Sequence, residues 1–149
     1  MQEQDRGRWE RERIASGISL LQRAAGLRRP GPYQLQAAIA ACHVEAPSWE
    51  QTDWRQIIAL YDSLLALTPS PVVQLNRAIA RRYLDGAQAA LDDVEALAGP
   101  LDSYYLFHAT RAELLRDMGR DAEARRALVR ALSLTENPAE RALLEHRLA

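Results

Sequence analysis

The chain's single cysteine, Cys42, stands beside one of its three histidines, His43. A thiol activated by an imidazole is a nucleophile, but the two must lie within hydrogen-bond reach and a third group must orient the ring. The surrounding QLQAAIAACHVE reads as helix, and helical neighbours point about 100 degrees apart and do not face each other. Cys42 instead extends a stripe formed by Leu35, Ala38 and Ile39, where a free cysteine behaves as a small buried hydrophobe. His43, His108 and His146 are too scattered for a zinc signature, and no acidic or thiolate partner stands beside them at ligand spacing. Asp92-Asp93 and Glu95 bring carboxylates together on one short segment, which reads as a solvated acidic face. GxGxxG, GxxxxGK[ST] and HExxH do not occur. The expectation is a non-enzymatic chain with no cofactor and no metal.

Arginine is the other candidate chemistry. All nineteen basic residues are arginines, set against twenty Asp and Glu for a formal charge of -1. That balance supplies no global pull toward nucleic acid or an anionic membrane. Local patches occur at Arg81-Arg82 and at Arg125, Arg126 and Arg130. The second patch is the candidate for nucleic-acid contact, although no coherent basic face or reading helix accompanies it.

The elements that would position these groups are helical. Apolar residues form 48% of the 149-residue chain, and they are mostly Ala and Leu, which favour helix over strand. One cysteine forms no internal disulfide, and no run of 18 apolar residues is present. The N-terminal MQEQDRGRWERER is the opposite of a secretion signal. A cytoplasmic protein with no membrane segment is expected. Periodicity predicts eight helices, at about 8–25, 31–45, 54–67, 72–84, 87–98, 103–118, 122–134 and 138–148, and no convincing strand. Asp53 followed by Gln56 is a weak capping box. Gly26, Asp85-Gly86, Gly99-Pro100 and Gly119 are read as helix stops. Connections are mostly two to five residues, so successive helices should be antiparallel neighbours in a single domain over 1–149.

A longer period overlies this pattern. From Tyr105 to Pro138, small residues at Ala112, Ala124 and Ala131, a turn at Gly119 and an Asn-Pro exit resemble a 34-residue tetratricopeptide repeat. Tyr61, Leu65, Leu67 and Pro69 match the end of an earlier copy, and residues 71–98 form a shorter, degenerate one around Ala78, Gly86 and Ala90. The predicted fold is all-α, with antiparallel helical hairpins stacked as a tetratricopeptide-like right-handed solenoid. It comprises an N-terminal helix over 1–30, three hairpins over 31–136 and a capping helix over 137–149. Stacking would bury faces that a single hairpin leaves wet. The first helix of each hairpin would then line a groove and expose Leu75, Ile79, Arg82 and Tyr83, followed by Leu106, Ala109, Glu113 and Arg116. Asn76 and Arg77 sit beside the first set. An amide within a helix is often held by an intramolecular bond, and that reading stands beside peptide contact.

The wording of one stretch goes further. PGPYQLQAAIAACHVEAPSWEQTDWRQIIALYDSLLALTPSPVVQLNRAIA, with QDRGRW before it and LDSYYLFHATRAELLRDMGRDAEARRALVRAL and NPAERALLEHRL after it, closely resembles the C-terminal extension of certain extracytoplasmic-function sigma factors of the sigma-70 family. The resemblance covers nearly the whole chain. It implies a regulatory, protein-interacting domain that acts in transcription initiation by docking to the sigma regions of the full-length factor or to core RNA polymerase. Promoter DNA would be read only by regions absent from this fragment. The residues expected to make the contacts are Tyr33, Trp54, Asn76, Arg77, Arg82 and Tyr83, with Glu113 and Arg116 in the groove. A purely stabilising module, or an accessory DNA contact through Arg125, Arg126 and Arg130, is the alternative.

Overall fold

The structure, a computed structural model, describes residues 31–149. The helix expected over 8–25 lies outside the described residues. Among those described, all regular structure is helical: α1 (Pro32–Glu45), α2 (Trp54–Leu67), α3 (Pro71–Asp85), α4 (Ala87–Glu95), α5 (Ala98–Leu101), α6 (Tyr105–Asp117), α7 (Asp121–Ser133) and α8 (Pro138–Leu148). None of these helices is long and apolar enough to cross a membrane. The chain divides into two units, Met1–Pro69 and Ser70–Ala149, and residues 31–69 of the first are described. The boundary falls within Thr68-Pro69-Ser70-Pro71. There α2 ends and Pro71 can open α3 at once, because a first-turn proline lacks only an N–H that would have no helical partner.

In the first unit, α1 packs on α2. Leu35, Ile39 and Cys42 form the buried stripe of α1, and Ile57 and Leu64 that of α2, each at helical spacing. The connection from Ala46 to Asp53 is held locally. The Thr52 hydroxyl donates to the Ser48 carbonyl at 3.4 Å, the Trp54 N–H donates to the Thr52 carbonyl at 2.9 Å, and the Asp53 carboxylate accepts the Gln56 N–H at 2.9 Å. That last bond satisfies one of the donors that a helix start leaves unpaired.

In the second unit, α3 packs on α4, α4 on α6, α6 on α7 and α7 on α8. The tight turns after α3 and α6 pass through Gly86 at φ 90° and Gly119 at φ 71°, and no other described residue has positive φ. A side chain would be strained in that region. Gly99-Pro100 does not end the helical structure as the sequence pattern predicted. The break comes earlier, at Ala96-Leu97, and α5 then adds one further turn that carries both residues and buries Leu101.

Burial in this unit recurs every 34 residues. Leu75 and Ala109, Ala78 and Ala112, Ala90 and Ala124, Val94 and Leu128, Leu97 and Ala131, and Leu101 and Thr135 are all buried pairs at that separation. The first helices begin at Pro71, Tyr105 and Pro138, 34 and then 33 residues apart. Ala78 and Ala112 are both 0% exposed, and a methyl side chain at a crossing lets the facing helix approach closely. The copy read from sequence as ending at 98 is therefore longer, since its buried positions continue to Leu101.

Candidate protein-interaction face

Four charged side chains bridge the first helices of the second unit. The Arg82 guanidinium on α3 lies 2.5 Å from the Asp117 carboxylate and 3.6 Å from that of Glu113, both on α6. The other Glu113 oxygen pairs with Arg147 of α8. Arg82 also sits 5.4 Å from the Tyr83 ring centroid, within cation–π range. Burial pushes the Tyr83 hydroxyl above its ordinary 10.0; Arg82 opposes the shift, while Glu113 and Asp117 add to it. Arg116 is exposed and donates from Nη2 to the Arg147 carbonyl at 2.8 Å, which caps the end of α8 with a cation where the helix dipole favours one. A cavity of about 190 Å³ opens between α6 and α8. Leu106 (40% exposed) and Leu143 (53%) border it, with Glu113 and Arg147 also in its lining.

Arg82, Tyr83, Glu113 and Arg116 are thus gathered into one neighbourhood. Asp117 and Arg147 belong with them and were missed. Asp117 follows Glu113 by four residues, on the same helix face, and that spacing was the available signal. Nothing in the local sequence pointed Arg147 at Glu113, because only the packing of α8 sets that register. Two neighbours expected in the groove are not exposed: Leu75 and Ala109 are buried, at 2% and 6%. They lie at equivalent positions of the 34-residue repeat and face the core.

The other expected contacts are distributed differently. Asn76 is exposed. Arg77 lies 3.7 Å from Asp93, which also accepts from Arg81 at 2.8 Å. Glu95 pairs with Arg111 at 2.6 Å. The Asp93 and Glu95 carboxylates expected on a solvated face therefore pair with α3 and α6. In the first unit, Tyr33 is 84% exposed in the opening turn of α1. Trp54 is half-buried in an aromatic trio, 4.9 Å from Trp49 and 5.5 Å from His43 between ring centroids. His43 also stacks on Trp49 at 5.9 Å.

Of the alternative nucleic-acid residues, Arg130 is tied to Asp102 at 2.9 Å and Arg125 donates to the Leu148 carbonyl at 3.4 Å. Arg126 is exposed. Their guanidiniums thus serve α8 and the α5–α6 connection as well as solvent.

The remaining chemical candidates lie in structural settings. Burial chiefly, then the Glu45 and Asp53 carboxylates, push the Cys42 thiol above its ordinary 9.0. It therefore stays protonated near neutrality, whereas a reactive cysteine needs the thiolate. His108 is buried, and its Nε2 donates to the Asp102 carbonyl at 2.7 Å. Among the described residues, no group of three His, Cys, Asp or Glu is placed to hold a metal ion.

No protein-family profile and no solved structure matches the chain significantly. It is 46% identical over 148 residues to an uncharacterized protein of Rhizobium meliloti (strain 1021), an alignment that covers 99% of this chain and 35% of that protein. The chain therefore spans about a third of the length of this relative.

Proposed function

We propose that the chain is the tetratricopeptide-like regulatory extension of an extracytoplasmic-function sigma factor and works in the cytoplasm without catalysis. It would dock to the sigma regions of its own factor or to core RNA polymerase and so govern their access to each other or to promoter DNA. The observation that carries the docking mode is the charged strip running from Arg82 through Glu113 and Asp117 to Arg147 across three first helices. A right-handed stack of repeats would present such helices side by side on one concave face. The 34-residue recurrence of burial supports that stack. The R. meliloti relative, with most of its length outside the aligned part, leaves room for sigma regions elsewhere in such a protein. The link to transcription itself rests on the resemblance of the sequence.

The test is a titration of the chain against separately expressed sigma regions and against core polymerase, repeated with Asn76→Ala and Arg82→Ala. Binding that both variants weaken supports the reading. If the chain binds neither target and a full-length factor lacking it transcribes normally, the reading fails. The internal pairing of Arg82, Glu113 and Arg147 favours a second reading, a module that only stabilises. In that case Arg82→Ala lowers stability and leaves binding unchanged. Accessory DNA contact through Arg125, Arg126 and Arg130 would instead show as duplex binding that falls steeply with added salt.

A further inference from the structure

A larger cavity, about 430 Å³, opens where the end of α6, the start of α7 and the end of α8 meet. Arg116, Arg125 and Arg147 contribute to its wall, and Asp121 is the one acidic side chain among the lining residues, which also include Ala149. Its apolar lining includes Leu128, Ala124 and Leu148. Leu128 and Ala124 are almost fully buried, at 1% and 2%, so the apolar surface an occupant reaches is that of the half-buried Leu148 and the exposed Ala122. Two of the guanidiniums are held in place by backbone. Arg116 donates to the Arg147 carbonyl at 2.8 Å and Arg125 to the Leu148 carbonyl at 3.4 Å. Each of these bonds uses one of a guanidinium's five N–H donors and leaves others for a second acceptor. Arg147 is already paired with Glu113, so the available positive charge is concentrated on Arg116 and Arg125, which are both exposed.

We infer that this cavity is a docking site for an acidic peptide segment of a partner protein, one that places a large apolar side chain between flanking carboxylates. Charge complementarity selects the acidic flanks: Arg116 and Arg125 bond to backbone carbonyls, and Asp121 is the one acidic side chain in the lining. The apolar surface of Leu148 and Ala122 selects the anchor, because an apolar side chain laid against it leaves water. Carboxylates match a guanidinium with two parallel hydrogen bonds, and such charge-assisted pairs are stronger than neutral ones. A nucleic-acid strand satisfies the cations and leaves the apolar lining without a partner. This cavity lies at the α8 end of the strip and shares Arg147 with it, but the proposal does not depend on the sigma-factor reading.

The test uses the 149-residue chain and a fluorescent peptide, Glu-Glu-Leu-Leu-Glu-Glu, followed by anisotropy. Its comparison probes are Lys-Lys-Leu-Leu-Lys-Lys, Glu-Glu-Gly-Ser-Glu-Glu and a duplex oligonucleotide. The acidic apolar peptide should bind best of the four. Arg125→Glu should weaken that binding about tenfold or more, the equivalent of one charge-assisted hydrogen bond. Arg126→Glu, one residue along and outside the lining, should change it less than about twofold. Ala122→Trp, which places a bulky ring at a lining residue, should abolish binding while the far-ultraviolet circular dichroism stays that of the parent. The inference is overturned if the acidic apolar peptide shows no binding up to about 1 mM, a concentration that would report even a very weak site. It is equally overturned if the lysine peptide or the duplex binds as well, or if Arg125→Glu and Arg126→Glu act alike. A failure of the sigma-region titration leaves all of these outcomes untouched.

Discussion

The two units make helical hairpins by different means. In the first, α1 and α2 are joined by the stretch from Ala46 to Asp53, and the turn is stabilised by side chains: the His43–Trp49–Trp54 trio, the buried Thr52 and the Asp53 cap. In the second, α3–α4 and α6–α7 turn through glycines at positive φ, and the packing rests on small and branched residues that recur at 34-residue spacing. A turn built from aromatic contacts is particular to one site. A turn built from a glycine and an alanine crossing can be copied, because it asks only for backbone freedom and close approach. The second unit is accordingly the one in which repetition is visible.

The strongest way to break this comparison is to test whether equivalent positions behave equivalently. Leu128 (1% exposed) and Val94 (0%) are 34 residues apart. Leu128→Ala should cost about 3 kcal/mol, and Val94→Ala somewhat less because fewer methyl groups are lost. Urea denaturation measures both. A loss below about 1 kcal/mol at either site would show that the two copies do not share a packing logic.

On the side of the aromatic turn, Trp49→Ala should destabilise by about 2 kcal/mol, since it removes one ring stack and one edge contact along with buried area. Trp49→Phe should recover much of that loss in the same denaturation assay. If the alanine variant is as stable as the parent, the trio is ornament and the Asp53 cap alone holds the turn.

Glycine replacement sharpens the other half. Gly86 combines φ 90° with ψ 170°, a region that only glycine occupies comfortably, so Gly86→Ala should cost about 2 kcal/mol. Gly119 at φ 71° lies in the left-handed region, and Gly119→Ala should cost about 1 kcal/mol. A Cβ would meet nothing within 4 Å at either position, so the loss reports backbone strain without a clash. Equal costs would remove the distinction between the two turns.

The smallest expected effect is alkaline. Cys42 and Tyr61 in the first unit titrate above their ordinary 9.0 and 10.0, with burial as the leading cause. Above pH 9 the unfolded thiol ionises before the folded one, followed by the phenol. The unfolded state is then favoured, and stability falls as pH rises through the folded values. Below pH 9 the contribution is fully present. Cys42→Ala combined with Tyr61→Phe should flatten the thermal midpoint between pH 8 and 11, relative to the parent. An unchanged slope would mean that neither group carries the dependence.

Much of this architecture was legible before the fold. The stripe of Leu35, Ile39 and Cys42 is a local periodicity, and a helix with that stripe must bury it. Glycine stops at Gly86 and Gly119, the Asp53 cap and the first-turn prolines are likewise local, because each acts within a few residues of backbone. Helix geometry also placed Cys42 on the buried stripe, whereas the stacking of His43 on Trp49 came only with the fold. Gly99-Pro100 shows the limit of such reasoning. Proline is acceptable in a first turn, and burial of Leu97 and Leu101 allowed one more turn of helix where the dipeptide alone pointed to a stop.

The sequence by itself determined the helical class, most helix limits and the 34-residue rhythm, since these follow from side-chain size and backbone freedom along a continuous chain. Tertiary structure decided which charges meet. Arg147 reaches Glu113 across 34 positions of sequence, and Arg82 reaches Asp117 across 35. A long, flexible arginine finds whichever carboxylate packing brings within reach, and no local pattern encodes that choice. The same packing turned Leu75 and Ala109 inward and opened the arginine-lined cavity at the end of α8, because a cavity is a property of surfaces brought together and of no single segment.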